Sequence, residues 1–189
     1  MENNTTRTLS ILIEKDPGIL LRIISLITRR RFNLETLTLG DCEDKHYQRL
    51  ILNIKNERHG SDESALQLIK QLQKLINIID IQDISYVPVI QRELILVKLS
   101  TNLKERDEIL KFTSVYQFTV LETTSTTISL EIIGDQKKIS NIETFLKKYE
   151  VLELVRTGKL ALIEHTTFEI NLAKNRFQPN YELEKLDFY

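Results

Sequence analysis

Residues that could do chemistry are few in this 189-residue chain. Histidine is the usual proton shuttle near neutral pH, yet the three present, His46, His59 and His165, fall in expected loops or in the C-terminal tail. No ligand spacing links them, which points away from a metal centre or an acid–base pair. Cys42 sits in a polar loop with no base beside it in sequence, so it makes no activated nucleophile. The five glycines (Gly18, Gly40, Gly60, Gly134 and Gly158) are dispersed, which leaves a phosphate-cradling loop without support. What the sequence does bring together is the turn Lys15-Asp16-Pro17-Gly18, between an apolar strand and an amphipathic helix. Pro17 is pre-set for helix entry and Gly18 leaves the main chain uncovered. Backbone N–H groups at the helix N-terminus are then placed to receive a small carboxylate. Glu14, Asp16 and Glu35 could gather at the mouth of this pocket, but their plainer roles are helix capping and decoration of a sheet edge. The Asp-Pro-Gly turn also suits any strand-to-helix connection, so spacing alone leaves ligand binding and simple capping equally open. No catalytic residue and no metal ligand is expected.

The elements that position this turn follow from hydrophobic periodicity. Residues 8–14 alternate as a strand with Leu9, Ile11 and Ile13 on one face, and Leu20, Ile23, Ile24 and Ile27 then recur at helical spacing. Arg22, Arg29 and Arg30 occupy the polar side and last turn of that helix. Strands are expected over 34–39 and 47–54, joined by the polar loop 40–45. Ala65, Leu68, Ile69, Leu72, Leu75 and Ile76 mark a second helix, capped by Ser61 or Asp62, and a fourth strand follows over 78–85. The order strand, helix, strand, strand, helix, strand is the split βαβ arrangement of ferredoxin-like folds. Both helices cover one face of the sheet; Leu12, Thr36 and Ile51 belong to the other, which needs a partner or must tolerate water.

The same order then repeats. Strands are expected over 92–99, 117–122, 127–133, 151–155 and 159–163, with helices over 103–112 (Ile109 and Leu110 inward) and around Ile139, Ile142, Phe145 and Leu146. The fold class is therefore α+β, two tandem ferredoxin-like βαββαβ modules. The expected divisions are 7–85, a linker at 86–91 containing Pro88, 92–164, and a polar tail at 165–189 with a short helix near 182–186. The second module reads Ser100-Thr101-Asn102-Leu103 where the first has its Pro-Gly pair, so only the first is equipped for a ligand.

Composition sets further bounds. A net charge of -1, from 26 basic and 27 acidic residues, supplies no field for gripping phosphate backbones. The expected first and third strands offer Tyr47 alone as a base-stacking aromatic, and Arg29-Arg30-Arg31 has a sufficient role in compensating the helix dipole, so no nucleic-acid partner is expected. No apolar run approaches the roughly 20 residues that span a bilayer, so no membrane association is expected either. One cysteine excludes an internal disulfide and fits a reducing compartment. Ala is nearly absent while Ile, Asn and Lys abound, as in products of AT-rich genomes. Residues 1–6 are too short and too polar for a transit segment. The expected location is the plastid stroma, from a plastid gene, with a bacterial cytoplasm as the alternative.

The run from Arg7 through Leu20, followed by Arg29-Arg30-Arg31-Phe32-Asn33-Leu34-Glu35-Thr36-Leu37-Thr38-Leu39, closely resembles the opening of the small regulatory subunits of acetolactate synthase. Gln71-Leu72-Gln73-Lys74-Leu75-Ile76, Arg92-Glu93-Leu94-Ile95-Leu96-Val97-Lys98 and Arg156-Thr157-Gly158-Lys159-Leu160-Ala161-Leu162 resemble that family's later motifs, so the likeness covers residues 7–164. It implies an N-terminal ACT domain and a ferredoxin-like C-terminal domain. It also implies a homodimer whose paired ACT domains hold a branched-chain amino acid, chiefly valine, and a separate large catalytic subunit carrying thiamine diphosphate, Mg2+ and FAD. No cofactor is then expected in this chain. The implied effector site comprises Lys15, Asp16, Pro17, Gly18, Ile19 and Leu20, together with Asn33, whose amide would hold the ligand or the loop of the facing subunit. A stand-alone ACT-domain amino-acid sensor is the alternative within the same fold. Two positions depart from the family pattern. Lys15 replaces an Asn and cannot accept an ammonium proton, and Arg31 replaces a Gly at a helix end that favours left-handed backbone.

Overall fold

The computed structural model describes residues 6–56 and 62–164; His59, His165, Ser61 and the 165–189 tail lie outside the described residues. The first module runs β1 (Thr6–Glu14), α1 (Ile19–Arg29), β2 (Phe32–Asp41), β3 (Tyr47–Asn56), α2 (Asp62–Leu72) and β4 (Ile78–Asp83). The second runs β5 (Val89–Ser100), α3 (Leu103–Tyr116), β6 (Thr119–Thr123), β7 (Thr127–Gly134), α4 (Gln136–Leu146), β8 (Glu150–Arg156) and β9 (Leu160–Ile163). The sheets are antiparallel, with orders β2-β3-β1-β4 and β6-β7-β5-β8, the same topology displaced by four strands. This is the expected tandem ferredoxin-like architecture.

Alternation explains which face each strand buries. Leu9, Ile11 and Ile13 of β1 meet Ile19, Ile23 and Ile27 of α1 and Leu68 and Leu72 of α2 in one core. Ile95, Val97 and Leu99 of β5 meet Ile109, Ile139, Ile142, Phe145 and Leu146 in the other. Three assignments made from periodicity shift. The α1 stripe passes through Ile19 rather than Ile24, which is 38% exposed; Leu110 is 40% exposed beside the buried Ile109; and α2 ends at Leu72, leaving Ile76 87% exposed. In each case an apolar residue lies about 100° round the helix from the true seam, or past its end. Gln117 does not open a strand: it caps α3 in the left-handed conformation, φ 54°.

β5 begins at Val89, inside the stretch expected to be a linker. Its first four residues pair with β9, from Val89 opposite Ile163 to Arg92 opposite Leu160, and the rest belongs to the second sheet. The β5–β9 ribbon faces the helix-free side of the first sheet. There, register aligns Thr36, Thr38 and Gly40 with Asn53, Ile51 and Arg49, and these with Thr8, Ser10 and Leu12. Asn53 is fully buried, donates to Thr36 Oγ1 (2.6 Å) and accepts from Thr8 Oγ1 (2.7 Å). A cleft of about 370 Å³ separates the ribbon from the sheet edge, between Gly40, Arg49 and Ile51 on one side and Ile90, Arg92 and Leu160 on the other. The face left bare by the helices is thus met by the chain's own second half.

Candidate functional site

The turn after β1 is held by its own amides. Lys15 N–H donates to the His46 carbonyl (3.1 Å), Asp16 N–H to that of Glu14 (2.9 Å) and Ile19 N–H to that of Asp16 (3.2 Å). Gly18 N–H donates to Asp16 Oδ1 at 2.8 Å. Of the loop donors expected to be open, four are therefore bonded within the chain. The open ones lie one step further on: among the described residues, the amides of Leu20 and Leu21 have no acceptor, because α1 has no side-chain cap and no acid in its first turn. Gly18 has φ -90°, ordinary right-handed backbone, and a Cβ there would meet only Asp16 Oδ1 at 3.5 Å and the Arg22 guanidinium at 3.9 Å and beyond. Among the described residues nothing requires Gly18 to be glycine.

Arg22 is a residue that the sequence placed only on the polar side of α1. One turn beyond Gly18, its guanidinium lies 3.9 Å from where a Gly18 Cβ would stand and donates to Asn77 Oδ1 (3.2 Å), while Asn77 donates to Glu14 Oε2 (3.3 Å). Spacing of i, i+4 from Gly18 was the available signal. The Lys15 ammonium pairs with Asp41 Oδ1 at 2.9 Å, and this bond holds the Asp41 carboxyl below its ordinary value. Leu21, 73% exposed, and Ile24 present an apolar strip on the outer side of α1.

Asn33 is not beside this turn. It is exposed at the start of β2, opposite Lys55, and Lys55 lies opposite Thr6, whereas Glu14 lies opposite Tyr47. The eight steps of β1 between those levels are roughly 26 Å at 3.3 Å per residue. One chain therefore cannot bring Asn33 to Gly18. β2 is also an edge strand of the first sheet, ten residues long, and its outer hydrogen-bonding side is unpaired among the described residues. Just before it, Arg31 has φ 59°, the left-handed conformation expected at this helix end.

The other candidate groups do not converge. His46 Nδ1 contacts Asp44 Oδ1 (2.8 Å) on the β2–β3 loop, and Cys42 Sγ contacts the Asp44 carbonyl (3.5 Å). Among the described residues no three of His, Cys, Asp or Glu are grouped to hold a metal, and no helix is long and apolar enough to cross a membrane.

Comparison with known proteins gives this geometry its context. Residues 9–80 match the family model described as an AHAS small subunit-like ACT domain, and residues 92–165 that of the small subunit of acetolactate synthase. A probable acetolactate synthase small subunit of Archaeoglobus fulgidus is 33% identical, aligned over 82% of this chain and 95% of its own length. Acetolactate synthase small subunit 2, chloroplastic, of Arabidopsis thaliana is 35% identical over 85% of this chain, which spans only 33% of that protein's length. The crystal structure of the acetolactate synthase small subunit from Thermotoga maritima superposes with a TM-score of 0.77 at 25% identity, covering 85% of this chain and 98% of that one. A match of this extent, across both modules and at nearly the full length of the archaeal relative, makes the chain a member of the acetolactate synthase small-subunit family.

Proposed function

We propose that this chain is a non-catalytic regulatory subunit that activates a separate acetolactate synthase large subunit and makes it sensitive to a branched-chain amino acid, chiefly valine. The observation that carries the reading is the separation of the two halves of the effector site. The open Leu20 and Leu21 amides and Arg22 lie at one end of the first sheet, Asn33 lies at the other, and the β2 edge, unpaired among the described residues, runs between them. A two-fold axis through β2 would pair two such edges antiparallel and set Asn33 of the partner subunit against the α1 turn. In that homodimer the amides and the Arg22 guanidinium take the carboxylate. Leu21 and Ile24 offer apolar surface to a branched side chain. The ligand acts only through its difference in affinity between two pairings of the subunits. Thiamine diphosphate, Mg2+ and FAD, in this reading, belong to the large subunit. The plastid stroma is the proposed location; the relatives include chloroplastic, bacterial and archaeal proteins.

The test is reconstitution. Adding this chain to its catalytic subunit should raise acetolactate formation, and valine should reverse the rise. No rise removes the activator role and favours a stand-alone sensor; a rise that valine leaves untouched removes the effector site as drawn.

A further inference from the structure

The turn between β8 and β9 touches the effector-bearing strand of the first module. Gly158 is buried at φ 80°, and a Cβ there would lie 2.9 Å from Thr38 Oγ1 and 3.3 Å from Thr36 Cβ. Its left-handed backbone and the close approach of β2 both demand glycine. Thr38 Oγ1 donates to the Thr157 carbonyl across the junction at 3.0 Å. Elsewhere the modules are loosely apposed: the extensive contacts between elements all lie within one module, and the cleft opens beyond Thr38 towards Gly40 and Arg49.

Both sides of this contact are tied firmly to their own module. Thr157 N–H donates to the Leu94 carbonyl (3.1 Å), and Leu94 N–H to Thr157 Oγ1 (3.2 Å). Arg156 donates from Nε to Glu93 Oε1 (2.6 Å) and from Nη1 to Glu143 of α4, and Glu93 is buried. The turn is thereby fixed to the central strand and a helix of the second module. Opposite it, Thr36 is fixed to the first sheet through Asn53 and Thr8. The register irregularity of β2 falls between Leu34 and Thr36, separating the docked stretch from Asn33.

We propose that Thr157-Gly158 is the clamp through which the state of β2 reaches the second module, with Gly158 and Thr38 as its positioning residues. The proposal rests on the effector reading for the identity of the signal, and on the contacts alone for the clamp. A shift of β2 that accompanies occupancy at Asn33 and carries past that irregularity to Thr38 must either move the turn with it or break the Thr38–Thr157 bond. The second module, tied through Arg156 to both β5 and α4, follows the turn.

The test uses the full chain, alone and in the reconstituted holoenzyme, with Gly158→Ala, Thr38→Val and Thr38→Ser. Calorimetry with the chain alone should give valine affinities within about twofold of wild type for all three, while half-inhibition of the holoenzyme by Gly158→Ala and Thr38→Val requires about tenfold more valine. Thr38→Ser, which keeps the hydroxyl, should behave as wild type. Unchanged inhibition in both disruptive variants overturns the clamp, and so does a parallel loss of binding and inhibition, which would make the contact part of the effector site or of the fold. Hydrogen exchange on the chain alone provides an arm without ligand: Thr38→Val should speed exchange at Thr157 and along β9 by about tenfold, with the module cores unaltered. A wild-type chain that binds no valine would sink the effector reading separately. The clamp is then decided by exchange, where unchanged protection refutes it.

Discussion

Arg31→Gly should stabilise the protein, and the size of the gain follows from one dihedral angle. Arg31 holds φ at 59° between α1 and β2, a conformation that costs a residue with a Cβ roughly 1–2 kcal/mol and glycine nothing. Two terms oppose the gain. Glycine gives up more freedom on folding, roughly 0.5–1 kcal/mol. Losing an exposed cation near a helix C-terminus costs about 0.3 kcal/mol, the low end of the range, because Arg29 and Arg30 stay. Taking the middle of each range leaves about 0.5 kcal/mol in favour of glycine, or a rise of about 2–4 °C in Tm for a module of this size. Arg31→Ala is the control, since it loses the same charge and keeps the strained backbone. It should fall below Arg31→Gly by about 0.8 kcal/mol, the difference between the strain and glycine's entropy. Urea and thermal melts followed by circular dichroism measure both, with an unchanged m-value showing that only stability has moved. An alanine variant as stable as the glycine variant would put the strain no higher than glycine's entropy cost, roughly 0.5–1 kcal/mol, and refute the reasoning.

Three further outcomes follow. Gly18→Ala should alter the melting free energy by no more than about 0.5 kcal/mol, because the position is right-handed and open, yet weaken valine binding strongly in calorimetry. Burial pushes the Tyr149 phenol up to about 12, helped by Glu108, so ultraviolet titration should show a phenol ionising near that pH. With the folded pKa above the unfolded one, the linked stability is complete below about pH 10 and fades as pH rises towards 12, and Tyr149→Phe should abolish that fading. Lys15 lowers the Asp41 carboxyl, so that pair supports the fold above the ordinary carboxylate pKa and ceases to do so as pH falls through the lowered value. Carboxyl NMR on wild type and Lys15→Ala checks this, with the Asp41 midpoint moving up in the variant.

Much of this architecture was legible because the local signals agreed with one another. Alternation in β1, helical recurrence of Ile23 and Ile27, and the repetition of the whole order in the second half each point to the same fold. Arg31 was legible for the same reason: a helix end followed at once by a strand calls for left-handed backbone, whatever residue stands there. The misjudged positions, Ile24, Leu110 and Ile76, are apolar residues at a seam's border, where sequence spacing cannot tell core from exposed surface. At the site, the turn itself could be located, but not which amides its own carbonyls and Asp16 consume, since that depends on angles within a few residues. Arg22 and the Thr38–Thr157 contact were illegible for a different reason. They depend on neighbours 55 and 119 residues away in the chain, which no local pattern encodes.

β5 has one more consequence. Its twelve residues run from the ribbon beside the first module to within three residues of α3, a length of about 36 Å, with one register irregularity against β8 between Lys98 and Leu99. A strand of that length, paired along its course, has the geometry of a lever arm. A tilt of about five degrees at Val89, too small to rebuild any contact there, swings Ser100 by about 3 Å at that length. Any angular play at one end would thereby become travel of atomic size at the other.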